Sequence, residues 1–218
     1  MRIRTEEPDY SSLPFKEHDW ERTVCSGAAE EIPEDAPRPL GKRVQFTTYY
    51  DANLYHDLIT GRSVTGALHL ANKTVIDYYA KLQSTVETAT FGSEFVAGRT
   101  ATEQVMDIRQ SFRYLGVPVE TPTAAFGDSD TVVNAATTPH ARLNKRHNAL
   151  SFHRVREAVA AKTLRMHHIR GHTNPSDLLS KHWDYPSVRS VLNPILFWMG
   201  DTADYLKSKF CKNKTKES

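Results

Sequence analysis

Four acidic residues, Asp51, Glu94, Asp128 and Asp177, occupy positions from which a folded chain could bring them to one place. Asp51 closes an alternating run, Asp128 separates a strand-like run from a helical one, and Asp177 follows Asn174-Pro175 in a first helical turn. Glu94 lies one step before a helical stripe of apolar residues. Taken singly, each has an ordinary explanation: a turn for Asp51, an N-cap for Asp128, a helix dipole for Asp177, an arginine partner or helix N-terminus for Glu94. Four carboxylates converging on one end of a sheet, however, repel one another at neutral pH unless divalent cations neutralise them. Hard cations prefer carboxylate oxygen, and Mg²⁺ binds through a few carboxylates plus substrate phosphate. The chemistry on offer is two-metal hydrolysis of a phosphodiester.

The elements that must position these acids follow from periodicity. Val44, Phe46, Thr48 and Tyr50 alternate with polar neighbours, which predicts a strand ending at Asp51-Ala52-Asn53. Two more strand-like runs, 63–70 and 74–79, are separated by Ala71-Asn72-Lys73, a hairpin turn. The strongest helix spans 91–115, stopped by Gly116 and Pro118, with Ala97, Ala101, Val105, Ile108 and Phe112 inward. A strand at 123–127, a helix from Ser129, a basic helical segment at 149–161, a strand at 163–169 and a helix opened by Asn174-Pro175 complete the order β-β-β-α-β-α-α-β-α. Short connections make the first three strands antiparallel, and helical crossovers add the later ones in parallel, giving an α/β mixed sheet with helices on its faces.

Length and apolar content suffice for one sizeable core with extensions. Residues 1–42, with Pro8, Pro14, Pro33, Pro37 and Pro39 among acids, read as an acidic connector; residues 43–184 form the domain; residues 185–218 form a helical extension broken around Pro194 and a lysine-rich tail. The net charge of +2 hides an asymmetry: 17–35 holds seven acidic residues and one basic one, whereas 142–165 holds seven basic residues and one acid. The first stretch reads as solvated. The second could track a phosphate backbone through Lys145, Arg146, Arg154, Arg156, Lys162 and Arg165, or be a solvated basic face. Cys25 and Cys211 lie in the flanks, which argues against a disulfide framework. No apolar signal region or membrane span is present, so a soluble intracellular chain is expected. His167, His168, His172 and His182 invite a zinc reading, but His168 and His172 straddle a strand-to-loop junction with no cysteine nearby.

At these residues the chain resembles the ribonuclease H domain of copia-type retrotransposons, over roughly residues 44–183. The family's first-strand Asp-Ala-acid run is similar to Asp51-Ala52-Asn53, its Arg-x-Ser-Thr-Ser-Gly-like turn to Arg62-Ser63-Val64-Thr65-Gly66, and its Lys-x-Gln segment to Lys81-Leu82-Gln83. Its Thr-Glu-Ala-Glu-Tyr-Ile-Ala block falls on Phe91-Gly92-Ser93-Glu94-Phe95-Val96-Ala97, and its Cys-Asp-Asn-Gln-like segment on Gly127-Asp128-Ser129-Asp130. Lys145-Arg146-His147, Phe152-His153 and Arg156-Glu157 resemble its basic block, and the run from Asn174 to Lys181 its closing Ala-Asp-x-Leu-Thr-Lys element. Asn53 and Gly92 depart from family acids, so any supporting role of those carboxylates is absent here.

The resemblance implies an RNase H-like fold, a five-stranded mixed sheet of order 3-2-1-4-5 with helices on both faces. It further implies Asp51, Glu94, Asp128 and Asp177 as ligands of two Mg²⁺ ions, replaceable by Mn²⁺, about 4 Å apart, one activating water and the other stabilising the leaving 3′ oxygen. His172, five residues before Asp177, falls where related ribonucleases H carry a mobile histidine that assists proton transfer or product release. The implied activity is endonucleolytic cleavage of the RNA strand of an RNA–DNA hybrid, leaving 5′-phosphate and 3′-hydroxyl ends. The implied partners are the hybrid and the reverse transcriptase domain of the same polyprotein, of which this chain would be a fragment or a truncated copy. The implied location is the cytoplasm, within a virus-like particle, with the nucleus as a second site, and no membrane. The rival reading is a catalytically silent module of the same fold that binds nucleic acid or scaffolds a polymerase.

Overall fold

The alternation that begins at residue 44 does produce a strand, and it continues well past Asp51. In a computed structural model describing residues 3–196 except Phe15 and Asn144, β1 runs Phe46–Asp57, β2 Arg62–Ala71 and β3 Thr74–Leu82. Helix α1 spans Thr90–Tyr114, β4 Thr123–Gly127, α2 Asp130–Thr137, α3 Ala149–Ala160, β5 Leu164–His168 and α4 Asp177–Ser180. β1 extends beyond Asp51 because β2 goes on pairing with it, Asp51 standing opposite Gly66 and Asn53 opposite Val64, before an irregularity where Tyr55 takes a φ of 53°. Asp51 is therefore mid-strand, where the sequence pattern places it at a strand end.

The sheet order is β3-β2-β1-β4-β5, with β1, β2 and β3 antiparallel and β4 and β5 added in parallel. Short connections and helical crossovers dictate this arrangement, as expected. Ala97, Ala101 and Val105 of α1 pack with Val132 and Ala136 of α2, Phe152 and Val155 of α3, and Tyr50, Ala125 and Met166 of the sheet in one buried cluster. The outer end of the α1 stripe, Ile108 and Phe112, instead meets Val44, Phe46 and Ala71 in a second cluster. The opposite face of the sheet is covered by the short α4 and by N-terminal residues, of which Tyr10 bonds Thr47 and lies against Phe126.

The acidic stretch 17–35 is solvated at six of its seven acids, as expected, with Glu30 the exception. It forms neither helix nor strand among its described residues, yet the Glu30 carboxylate is held by Arg109 and Arg113 of α1 at 2.6–2.8 Å. Glu17 pairs with Lys162, and the backbone N–H of Arg4 donates to Thr74. An anionic partner offsets the cost of burying the Arg109 and Arg113 guanidinium groups, and this segment supplies one.

The chain divides into two units between His182 and Trp183. In the second, α5 covers Tyr185–Leu196. The expected continuation of this extension past 196, the lysine-rich tail and Cys211 lie outside the described residues.

Candidate active site

Register explains how the acids meet. β4 pairs with β1 from Thr47↔Ala124 to Tyr49↔Phe126, and continuing that register by two residues brings Asp128 level with Asp51. Gly127 lets this happen: a β-carbon there would lie 2.4 Å from the Tyr50 ring, which occupies the space between Gly127 and Gly98 of α1. Glu94, in the first turns of α1, is 2% exposed and accepts the backbone N–H of Ala52. Asp51, Glu94 and Asp128 thus offer carboxylate oxygens that all lie within 4.8 Å of one another, the one such group of potential metal ligands among the described residues.

The fourth acid arrives differently. Asn174 is buried and its amide donates to the Tyr50 carbonyl while its oxygen accepts from the N–H and hydroxyl of Ser176. That clamp, rather than an N-cap, ties the turn before α4 to β1 beside Asp51. Ser180 then donates to Asp51. Asp177 does not join the triad; its carboxylate is bonded by Lys181 Nζ at 2.5 Å, and the same ammonium lies 3.5 Å from Asp51. Lys181 and Ser180 were not singled out as functional by sequence reasoning, although the spacing of Asp177 and Lys181, four apart, is a pairing signal.

Burial, with charge crowding added to it, governs the electrostatics of the site. Burial pushes the Asp51 carboxyl up to about 7, with Asp177 and Asp128 adding to the rise and the Ser180 hydroxyl and Lys181 ammonium opposing it. Glu94 is raised well above the ordinary carboxylate range by burial and then by Asp51 and Asp128. Asp128 is raised by burial, with Lys181 countering and Asp177 reinforcing. Glu94 Oε2 is buried and has no hydrogen-bond partner. An unsatisfied carboxylate oxygen beside two further acids is costly in a protein interior. A divalent cation relieves all three defects at once, and the all-oxygen donor set suits Mg²⁺ or Mn²⁺.

Other sequence-derived candidates are distributed around this centre. His172 is exposed on a short 3₁₀ turn, Gly171–Thr173, whose Gly171 backs onto Asp128: a β-carbon at Gly171 would be 3.2 Å from Asp128 Oδ2. His168 Nε2 lies 3.1 Å from the Asp128 carbonyl oxygen, which commits that nitrogen to a hydrogen bond rather than a zinc ion. Arg146 is exposed, Lys145 donates to Thr88, Arg154 pairs with Glu157 and Lys162 with Glu17, while Arg165 is half-buried on β5. Arg156 is a correction. It is buried, donates to the carbonyls of Ala135, Thr138 and Pro139 at 2.5–2.6 Å, and stacks over Trp20 and Phe152. It satisfies the exposed carbonyls at the end of α2 and cannot reach a nucleic acid. Beside the basic pair, Asn148 is buried with neither amide atom hydrogen-bonded, a feature the sequence does not signal.

No family model matches the chain. Over 133 residues, 61% of its length, it is 24% identical to the retrovirus-related Pol polyprotein from transposon TNT 1-94 of Nicotiana tabacum, and it spans about 10% of that polyprotein. Among solved structures it is similar to LC11-RNase H1, isolated from compost, in complex with RNA/DNA hybrid: TM-score 0.50, 15% identity, 62% of this chain and 93% of that one. It is also similar to RNase H1 from Halobacterium salinarum, with TM-score 0.45, 17% identity, and 64% and 95% coverage. With the strand order above, the former likeness establishes an RNase H-like fold. The polyprotein relative agrees with the copia-type ribonuclease H resemblance carried by the motifs.

Proposed function

We propose that this chain hydrolyses the RNA strand of RNA–DNA hybrids as the ribonuclease H portion of a retrotransposon polyprotein. Its partners are the hybrid and the reverse transcriptase domain of the same polyprotein, and its place of action is a cytoplasmic virus-like particle, with the nucleus as a second site. The observation that carries the reading is the meeting of Asp51, Glu94 and Asp128 within 4.8 Å in an RNase H-like fold.

Asp51, Glu94 and Asp128 would hold divalent cations, Mg²⁺ or Mn²⁺, and Asp177 would complete the set. When bound, such ions supply a nucleophile at neutral pH and offset charge on the leaving oxygen. The protein's own groups do the rest. Burial of Asp51 and Glu94 keeps water from competing for their oxygens. The exposed His172, one residue from the glycine that backs onto Asp128, is placed to take or return a proton at the edge of the site. Lys145 and Arg146, beside the start of α3, would provide cationic contacts for a phosphate backbone.

The experiment is cleavage of a labelled hybrid beside an RNA duplex control, with Mg²⁺, with Mn²⁺ and with chelator, for the wild type and Asp128→Asn. Metal-dependent cleavage of the hybrid RNA alone, lost in the variant, supports the proposal; hybrid binding without cleavage by a folded protein would overturn it. The second reading, a silent module that binds nucleic acid, draws on the Lys181 ammonium, which partly neutralises Asp51 and Asp177 without any metal. It requires metal-independent binding that Asp128→Asn leaves unchanged.

A further inference from the structure

Lys181 places a cation in direct contact with two acids of this site, Asp177 and Asp51. Its Nζ bonds Asp177 at 2.5 Å and lies 3.5 Å from Asp51. It follows α4 directly, and its backbone N–H donates to the Asp177 carbonyl, so the turn that carries the ammonium also carries the fourth acid. Its side chain is 36% exposed, against 1% for Asp51 and 9% for Asp177. The ammonium therefore has a path to water that the two carboxylates lack. Asp177 itself stands outside the group of three acids whose oxygens lie close enough to share an ion.

These relations describe a site in which one positive charge already occupies the gap between the triad and its fourth member. A divalent ion shared by Asp51 and Asp177 and an ammonium shared by the same two carboxylates compete for one region, and like charges at such separations repel strongly in a partly buried site. Resting on the metal-site reading above, we propose that Lys181 is a resident counter-cation: it pairs Asp177 with Asp51 in the metal-free protein and must swing outward when divalent ions bind. Lys181 is thus a positioning residue. It keeps the acids assembled before the ions arrive and weakens ion affinity by the charge it must withdraw. Ser180, whose hydroxyl bonds Asp51, carries no charge and can stay in place throughout the exchange.

A merely structural role and this one predict opposite signs. If Lys181 only anchored α4, Lys181→Met would loosen Asp177 and weaken metal binding. Under the exchange, Lys181→Met lowers the thermal stability of the metal-free protein but tightens Mn²⁺ binding, measured calorimetrically, by roughly tenfold, and Lys181→Arg, which keeps the charge, restores both quantities toward wild type. Unchanged or weaker Mn²⁺ binding in Lys181→Met overturns the proposal. A measurement on the wild type needs no variant to fold: acylation of Lys181 by an amine-reactive reagent, read by peptide mass spectrometry with Lys73 as internal reference. Mg²⁺ should raise Lys181 labelling several-fold, and labelling that stays level or falls overturns the exchange. Wild-type protein that binds Mn²⁺ while Lys181 stays unreactive refutes the exchange alone. Protein that binds no divalent ion refutes the metal-site reading and the exchange with it.

Discussion

Gly66 stands directly across the β1–β2 ladder from Asp51, and the Ser176 carbonyl oxygen lies 2.7 Å from where a Gly66 β-carbon would be. Leu179 Cβ and the Ser180 nitrogen follow at 3.0 and 3.1 Å. The turn bearing Asp177, Ser180 and Lys181 reaches Asp51 only because its cross-strand neighbour has no side chain. Two of these atoms belong to backbone and the third is a Cβ fixed to it, so none can rotate aside as the far end of a flexible side chain would.

Gly66→Ala should therefore push the residue 176–180 turn off the sheet and separate Ser180 and Lys181 from Asp51. Overpacking of this kind costs about 1–3 kcal/mol. Chemical denaturation should register that loss, and the Mg²⁺-induced rise in Tm should shrink with it. A variant with wild-type stability and metal response would mean that the turn is not held by this contact.

Raised carboxyl pKa values set the pH dependence of the metal-free protein. Asp51 moves from a reference value of 3.8 to about 7, so between those limits the folded state binds more protons than the unfolded one. Stability from this group is complete below the unfolded value and is lost as pH rises through the folded one. Metal-free stability should consequently fall from pH 4 to 7, and the stabilisation by saturating Mg²⁺ should grow from pH 6 to 8 as protons cease to compete. Thermal melts across that range, with and without Mg²⁺, measure both trends; a Mg²⁺ effect that does not vary with pH would contradict the crowded-carboxylate account.

Glu30 gives the opposite sign. Burial works to raise its pKa, but bonds from Arg109 and Arg113 outweigh it and hold the carboxyl at about 2 against a reference of 4.5. Its contribution is present above the unfolded value and disappears as pH falls toward 2. Glu30→Ala leaves the buried Arg109 uncompensated and should cost about 3–5 kcal/mol, with earlier proteolysis of the N-terminal segment. Equal acid sensitivity and protease resistance in variant and wild type would show that the clamp contributes nothing.

The basic residues separate into two kinds. Arg156→Ala should destabilise the fold by exposing the carbonyls of Ala135, Thr138 and Pro139 to poor satisfaction, while the salt slope of hybrid binding by the folded variant stays unchanged. Arg146→Ala should leave stability within about 0.5 kcal/mol and reduce that slope by about 1. Salt-dependent binding titrations distinguish the two, and a lowered slope for Arg156→Ala would return that residue to the interface.

Much of this molecule is legible in the sequence because local periodicity and connection length govern it. The α1 stripe identifies Glu94 as a buried acid, and the alternation before Asp51 and the strand at Thr123–Gly127 place two more acids at neighbouring strands. What escapes is set by contacts distant in sequence. The extra length of β1 depends on continued pairing with β2 beyond Asp51. Glu30 and Arg109 are 79 positions apart, and no spacing rule links them. Arg156 looks like its basic neighbours in sequence and differs only in having three backbone carbonyls to meet. The bridging of Asp177 and Asp51 by the Lys181 ammonium depends on a turn seated against Gly66, a contact between distant segments.

Anomalous diffraction from crystals of the wild-type protein soaked in Mn²⁺ bears most directly on the claim that Asp51, Glu94 and Asp128 form a metal centre. Mn²⁺ peaks within bonding distance of carboxylate oxygens from all three residues are the expected result. Mn²⁺ bound elsewhere only, or a map in which Glu94 and Asp128 point away from Asp51, would contradict it.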